Sequence, residues 1–234
     1  MRRAIVDAKT KITRKRLKQP DEFVSWGAQA LHYAITHVKY IVLGSLLLVA
    51  IIVALVLWRQ HETASEEVAY TRLAQGIVLF HDEQRREEAL TNFSQLITEH
   101  PRTKAAAVAL LYRGRCYLLK KDIAPAIIDF KSALNKTSSK VLRAIALNSL
   151  GNISWTQGDY RQAMDYFQQI ITSGDEWLTP YAHLQVGMCW EKLGDTKKAA
   201  AAFQEASKYE LPPPWNSFAK TRLSKLGGKI AEKK

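Results

Sequence analysis

The sequence predicts an all-α protein in which one transmembrane helix precedes an α-solenoid of about four helical hairpins closed by a C-terminal capping helix. Three observations predict it. Residues 40–58 form a 19-residue run without a charged side chain. Beyond it, Ala89, Ala126, Ala163 and Ala199 recur at spacings of 37, 37 and 36 residues, and Phe93, Phe130, Phe167 and Phe203 each follow four residues later. Gly114, Gly151 and Gly187 stand twelve residues before the last three alanines. The chain holds seven Phe, and four of them fall in this register, so the period is a repeat and not an accident.

Residues 1–19 are basic and polar, and the expectation is a disordered cytoplasmic segment. Residues 20–39 are expected to form an amphipathic juxtamembrane helix. Pro20-Asp21-Glu22 suits a first helical turn, where Pro is tolerated and acids meet the positive end of the helix dipole. Phe23, Trp26, Ala30, Leu31, Ala34, Ile35 and Val38 then recur at three- and four-residue steps. That stripe can lie in the membrane interface or dock against another membrane subunit.

Residues 40–58 would cover roughly 28 Å as a helix, close to the hydrocarbon thickness of a bilayer. Lys39 and Tyr40 flank one end and Trp58 and Arg59 the other, the residue types that anchor at headgroup level. A cleaved signal peptide would have a shorter apolar core nearer the start and small residues at its end. This run begins after 39 residues and ends in Trp58-Arg59-Gln60, so it is expected to remain as an anchor.

Basic residues set the orientation. Residues 1–39 carry nine Lys and Arg against three acids, whereas residues 59–78 carry Arg59 and Arg72 with three Glu. The positive-inside rule places the amino terminus in the cytoplasm and the remainder across the membrane. The net charge of +12 raises the question of nucleic acid. Half of it belongs to the cytoplasmic segment, where anionic lipid is the natural counter-charge, and the rest is spread thinly. No nucleic-acid module is present, so nucleic acid is not an expected partner.

Residues 59–226 form the expected solenoid and 227–234 a basic tail. In the third hairpin, residues 143–157 carry Leu147, Leu150 and Gly151, and Gly158 stops the helix. Asp159 is expected to cap the next helix, with Gln162 reaching back as in a capping box. In the fourth, Thr179-Pro180 is expected to supply a cap followed by Pro at the first helical position. In the second, Pro125 lies three residues past Asp122, where its missing N–H does no harm. Small residues are needed where helix axes approach to roughly 8–10 Å, and Gly151 is expected opposite Ala163, with Phe167 filling the space toward the next hairpin. After Pro212-Pro213-Pro214, residues 215–226 suit a capping helix.

This pattern resembles the tetratricopeptide repeat family, whose motif runs W-x2-L-G-x2-Y, then A-x3-F, then P. Gly114, Tyr117, Ala126 and Phe130 match in one unit, Leu147, Leu150, Gly151, Ala163 and Phe167 in the next, and Gly187, Ala199 and Phe203 in the last. The first unit matches at Gly76, Phe80, Ala89, Phe93 and Pro101, with one extra residue between its helices. The resemblance implies a right-handed solenoid that binds other proteins.

Catalytic signatures are missing. The six His have no metal-ligand spacing, and there is no phosphate loop, nucleophile elbow or HExxH. No enzyme activity, cofactor or small-molecule substrate is expected. Cys116 and Cys189 occupy equivalent places two repeats apart, which puts them on the order of 20 Å from each other, too far for a disulfide. In tetratricopeptide arrays the first helix of each hairpin lines the concave surface. Its exposed positions here are expected to be Tyr112, Arg115, Asn148, Asn152, Trp155, Tyr181, Gln185 and Met188. This aromatic and amide surface has one Arg. Tyr181 and Gln185 stand where a carboxylate clamp would place further basic residues, so adaptable contacts to apolar or unfolded segments fit better.

The plan of a short cytoplasmic segment, one span and a tetratricopeptide domain also resembles the YfgM-like family. That resemblance implies a bacterial inner-membrane protein with a periplasmic domain, ancillary to the Sec translocon. Its expected partners are translocon subunits, periplasmic chaperones or unfolded polypeptides. A structural scaffold for another envelope-assembly complex is the alternative.

Overall fold

The structure, a computed structural model, describes residue 29 and residues 31–227. The expected disordered segment, most of the juxtamembrane stripe and nearly all of the basic tail lie outside the described residues. The chain divides into two compact units, Met1–Gln60 and His61–Lys234.

In the first unit, residues 31–36 are helical and a turn at His37 separates them from helix α1 (Val38–His81). Tyr40 N–H and Ile41 N–H both donate to the His37 carbonyl, at 2.9 and 3.0 Å. Helix α1 is long and apolar enough to cross a membrane, and no residue of its most apolar window is buried by protein. A core helix of a water-soluble domain would be packed on at least one face. Here Leu46, Leu47, Val53 and Leu57 are each about half or more exposed.

In the second unit, the rest of α1 pairs with α2 (Arg86–Glu99). Three further hairpins follow: α3 (Lys104–Leu119) with α4 (Ile123–Lys136), α5 (Lys140–Thr156) with α6 (Tyr160–Ser173), and α7 (Thr179–Lys192) with α8 (Thr196–Ser207). Helix α9 (Pro213–Lys225) closes the stack. No strand occurs among the described residues. The extra residue of the first hairpin is taken up by a 3-10 turn (Glu83–Arg85), which Asp82 caps by accepting from Gln84 N–H at 3.0 Å.

Burial divides into one apolar cluster per junction. The second cluster takes Leu110 and Leu111 from α3, Phe130 from α4, and Leu150 and Ile153 from α5. The third joins Phe167 and Ile170 to Ala182, Val186 and Cys189 of the next hairpin. The last seats Leu211, Ala219 and Leu223 against Phe203. Each hairpin therefore buries its apolar face only by stacking, as in other repeat arrays. The first hairpin has no hairpin before it, and Val78 stands 70% exposed where its counterparts Cys116, Ile153 and Cys189 are buried.

The repeated Gly is explained by the Phe of the same hairpin. A Cβ added at Gly76, Gly114, Gly151 or Gly187 would stand 2.5, 2.9, 2.5 or 2.7 Å from a ring carbon of Phe93, Phe130, Phe167 or Phe203. All four rings are fully buried. The small residue of the first helix thus makes room for the large residue of the second, within each hairpin.

Tight turns join the helices. Gly158 and Gly194 end α5 and α7 with φ of +81° and +83°, and Lys121 takes the same left-handed place after α3 with φ of +66°. Asp159 Oδ1 accepts from Gln162 N–H at 2.9 Å, as expected of a cap. The Gln162 side chain does not complete a capping box, because its Oε1 accepts from Ser154 Oγ at 3.0 Å while Asp159 N–H donates to the Ser154 carbonyl. Thr179 is not the cap of α7 but its first helical residue, with Pro180 second. Asp175, buried in the preceding loop, takes Leu178 N–H at 2.9 Å and fixes that junction instead. Asp122 stands at the cap position of α4 but makes no side-chain capping bond.

Candidate protein-binding groove

Helices α3, α5 and α7 present side chains to a cleft of about 540 Å³ and a second of about 240 Å³. Asn148, Asn152 and Leu178 line both, so the two are parts of one groove. The larger part is walled by Arg115 and Leu118 of α3 and by Ile145 and Ile153 of α5. The smaller adds Tyr181, Gln185 and Met188 of α7, and Trp215 of the capping helix.

Six of the eight predicted residues share this groove: Arg115, Asn148, Asn152, Tyr181, Gln185 and Met188. Helical spacing explains the set. Asn148 and Asn152 lie one turn apart on α5, as do Tyr181, Gln185 and Met188 on α7. Gln185 Nε2 donates to Asn152 Oδ1 at 3.5 Å, a long bond between adjacent hairpins. Tyr181 meets the Trp215 ring edge-to-face with centroids 6.0 Å apart.

The other two residues lie elsewhere. Tyr112 packs in the junction of the first two hairpins, stacked on Phe93 at 5.6 Å and edge-on to Phe80 at 5.4 Å. Trp155 lies edge-on to Tyr160 at 4.9 Å and borders a third cleft, with Glu191 and Phe218, that meets the groove at Met188. Leu178 and Trp215 were not expected to line the groove. Leu178 comes from the loop before α7 and Trp215 from the capping helix, neither of which carries the repeat period.

Among the described residues that line these two clefts, Arg115 is the one that carries a charge. Its guanidinium lies over the Phe80 ring at 5.2 Å and near the Tyr112 ring at 5.9 Å. Two residues earlier, Arg113 points away from the groove and into the protein. It donates to both Asp129 oxygens, at 2.8 and 2.7 Å, and to Ser94 Oγ at 3.2 Å. The Asp129 carboxylate beside it raises the Arg113 pKa against the cost of burial. This cluster ties the first hairpin to the second.

Among the described residues no three His, Cys, Asp or Glu are placed to hold a metal ion. Cys116 and Cys189 are buried free thiols, and burial pushes them up to about 11 and about 12, so both are protonated at neutral pH. Thiols in that state are poor nucleophiles.

A family model described as a tetratricopeptide repeat-like domain matches residues 32–228. No curated protein matches. Solved structures do. A tetratricopeptide repeat protein from Parabacteroides merdae is 15% identical, with 70% of this chain and 60% of that one covered and a TM-score of 0.56. PilF of Pseudomonas aeruginosa is 15% identical, with 70% and 69% covered and a TM-score of 0.53. YrrB, a tetratricopeptide repeat protein with an unusual peptide-binding site, is 19% identical, with 70% and 81% covered and a TM-score of 0.52. At these identities the likeness is one of fold.

Proposed function

Because the chain belongs to the tetratricopeptide repeat-like domain family, we propose that it is a membrane-anchored adaptor whose groove holds a segment of another protein. The carrying observation is the continuous groove in which the amides of Asn148, Asn152 and Gln185 stand among apolar side chains. A bound extended chain must satisfy its peptide N–H and C=O groups, and side-chain amides can both donate and accept. Met188, Leu178 and Trp215 offer apolar contact to its side chains. YrrB shares the fold and has a peptide-binding site, which supports a peptide as the occupant.

Residues 40–58 anchor the protein in a bacterial inner membrane, with the basic amino terminus cytoplasmic and the repeat domain periplasmic. The charge asymmetry across the span supports that orientation. The architecture resembles ancillary translocon subunits, so emerging polypeptides, translocon subunits and periplasmic chaperones are the partners this reading names. In-membrane crosslinking of the full-length protein, with mass spectrometry of what is captured, tests it. Recovery of translocon subunits with periplasmic chaperones supports the reading. Recovery of another envelope complex, with translocon subunits at background, discards the translocon role and leaves a membrane-tethered scaffold.

A further inference from the structure

Resting on the anchoring reading but not on the groove, we propose that two copies of this chain pair in parallel along α1, as a left-handed coiled coil. The observation that carries it is a heptad stripe that the protein's own fold leaves uncovered. His61, Ala64, Val68, Thr71, Gln75 and Val78 follow one another at alternating steps of three and four residues, and all six are exposed. Leu43, Leu47, Ala50, Ala54 and Leu57 precede them in the same alternation and are exposed as well. The stripe runs for about five heptads, the length at which such a period argues for a coiled coil. All five charged side chains of residues 59–81, Arg59, Glu62, Glu66, Glu67 and Arg72, fall outside it. Ala69, Leu73, Gly76 and Phe80, which the protein buries, lie on the other side of the helix. In the apolar run the stripe includes Ala50 and Ala54, small residues that let two helices approach inside a bilayer.

The repeat register supplies an independent argument. Aligning Gly76 with Gly114 puts Val68, Thr71 and Val78 where the second hairpin has Ala106, Ala109 and Cys116. Those three are buried against the first hairpin, so in this fold the positions belong to an interface. On the first hairpin nothing among the described residues covers them. The far end of the stack is sealed by α9, where Leu223 and Ala219 pack with Phe203. A second copy therefore cannot extend the stack head to tail, and what is left to two copies is a two-fold pair in which the stripe meets itself. Two chains anchored by the same amino-terminal span must run parallel. In that register Glu67 and Arg72 take the flanking positions that face each other between parallel helices, five residues apart and opposite in charge. Arg72 also pairs with Glu99 of its own chain.

The test uses the full chain in its membrane, with single Cys substitutions along α1 and oxidation by copper phenanthroline. The native thiols of Cys116 and Cys189 are buried and should not link. Thr71→Cys and Val78→Cys should form disulfide-linked dimers, because facing core positions bring the two thiols together. Tyr70→Cys, exposed but off the stripe, should not. In detergent, light scattering should give the wild type twice the chain mass of 26.5 kDa. Val68→Glu/Val78→Glu should halve that mass, since like charges then meet across the pair. Its circular dichroism should match wild type, because both valines are exposed in the single chain. Linking from Tyr70→Cys as strong as from Thr71→Cys, or a wild type of single-chain mass, would overturn the pairing. Carbonate washing reads the anchor separately. A chain that stays in the membrane without linking at 71 or 78 overturns the pairing alone. A chain that washes out overturns the anchoring reading, and the disulfides at 71 and 78 then decide the pairing by themselves.

Discussion

Gly151 and Phe167 share one space: a Cβ on residue 151 would stand 2.5 Å from the Phe167 ring, which is fully buried. The same pairing recurs in all four hairpins. Gly inside a helix costs about 1 kcal/mol relative to Ala, so an Ala at any of these sites would stabilise the protein if the space were free.

Gly151→Ala should instead destabilise the repeat domain, by about 1–3 kcal/mol, because overpacking outweighs the gain in helix propensity. Phe167→Ala should cost about 3–5 kcal/mol. The double variant Gly151→Ala/Phe167→Ala should cost less than the two single changes added, since both act on one contact. Urea titration followed by circular dichroism checks all three.

Asp129 is 2% exposed and holds Arg113 through two hydrogen bonds. Asp129→Ala should cost about 3–5 kcal/mol, because it leaves a half-buried guanidinium without its partner. Replacing Arg113 and Asp129 together by Met and Leu should cost much less. Equal losses in the single and double variants, measured by thermal unfolding, would contradict this account of the cluster.

Lys121 occupies the left-handed turn position that Gly158 and Gly194 fill in the next two hairpins. A non-glycine residue there costs about 1–2 kcal/mol, offset in part by the greater chain entropy lost with Gly. Lys121→Gly should raise stability by up to about 1 kcal/mol, and Lys121→Val should lower it. Both are read as shifts in the urea midpoint.

The thiols of Cys116 and Cys189 should resist N-ethylmaleimide at pH 8 in the folded protein and react once it is denatured. Burial raises both above the ordinary value of 9.0, to about 11 and about 12. The folded state therefore holds protons that the unfolded state releases, and stability should fall as the pH rises from 9.0 through about 12. A native chain that labels fully at pH 8 would show that the sites open.

Much of the fold was legible in the sequence because packing imposes a period. The Ala, Phe and Gly columns marked the hairpins, and the uncharged run marked the apolar helix. Spacing gives a register, however, and not a partner: it could not show that Gly151 makes room for the ring of Phe167. It also could not tell side chains that turn into the groove from those that turn into a junction. Tyr112 and Trp155 share a helical face with groove residues, yet they pack against Phe93 and Tyr160. Leu178 and Trp215 escaped because a loop and a capping helix bring them in without any repeat. Thr179 misled because Ser and Thr before Pro so often cap helices, whereas here the buried Asp175 fixes the turn.

The central claim is that the groove holds another polypeptide while the chain is anchored in its membrane. A photocrosslinking amino acid placed at Asn152 in the full-length protein, irradiated in intact cells, tests it most directly. Crosslinks to another polypeptide from position 152, and none from Ile128 of α4, which is 64% exposed and does not line the groove, are the predicted result. Crosslinks from Ile128 with none from Asn152 would place the partner outside the groove and contradict the account.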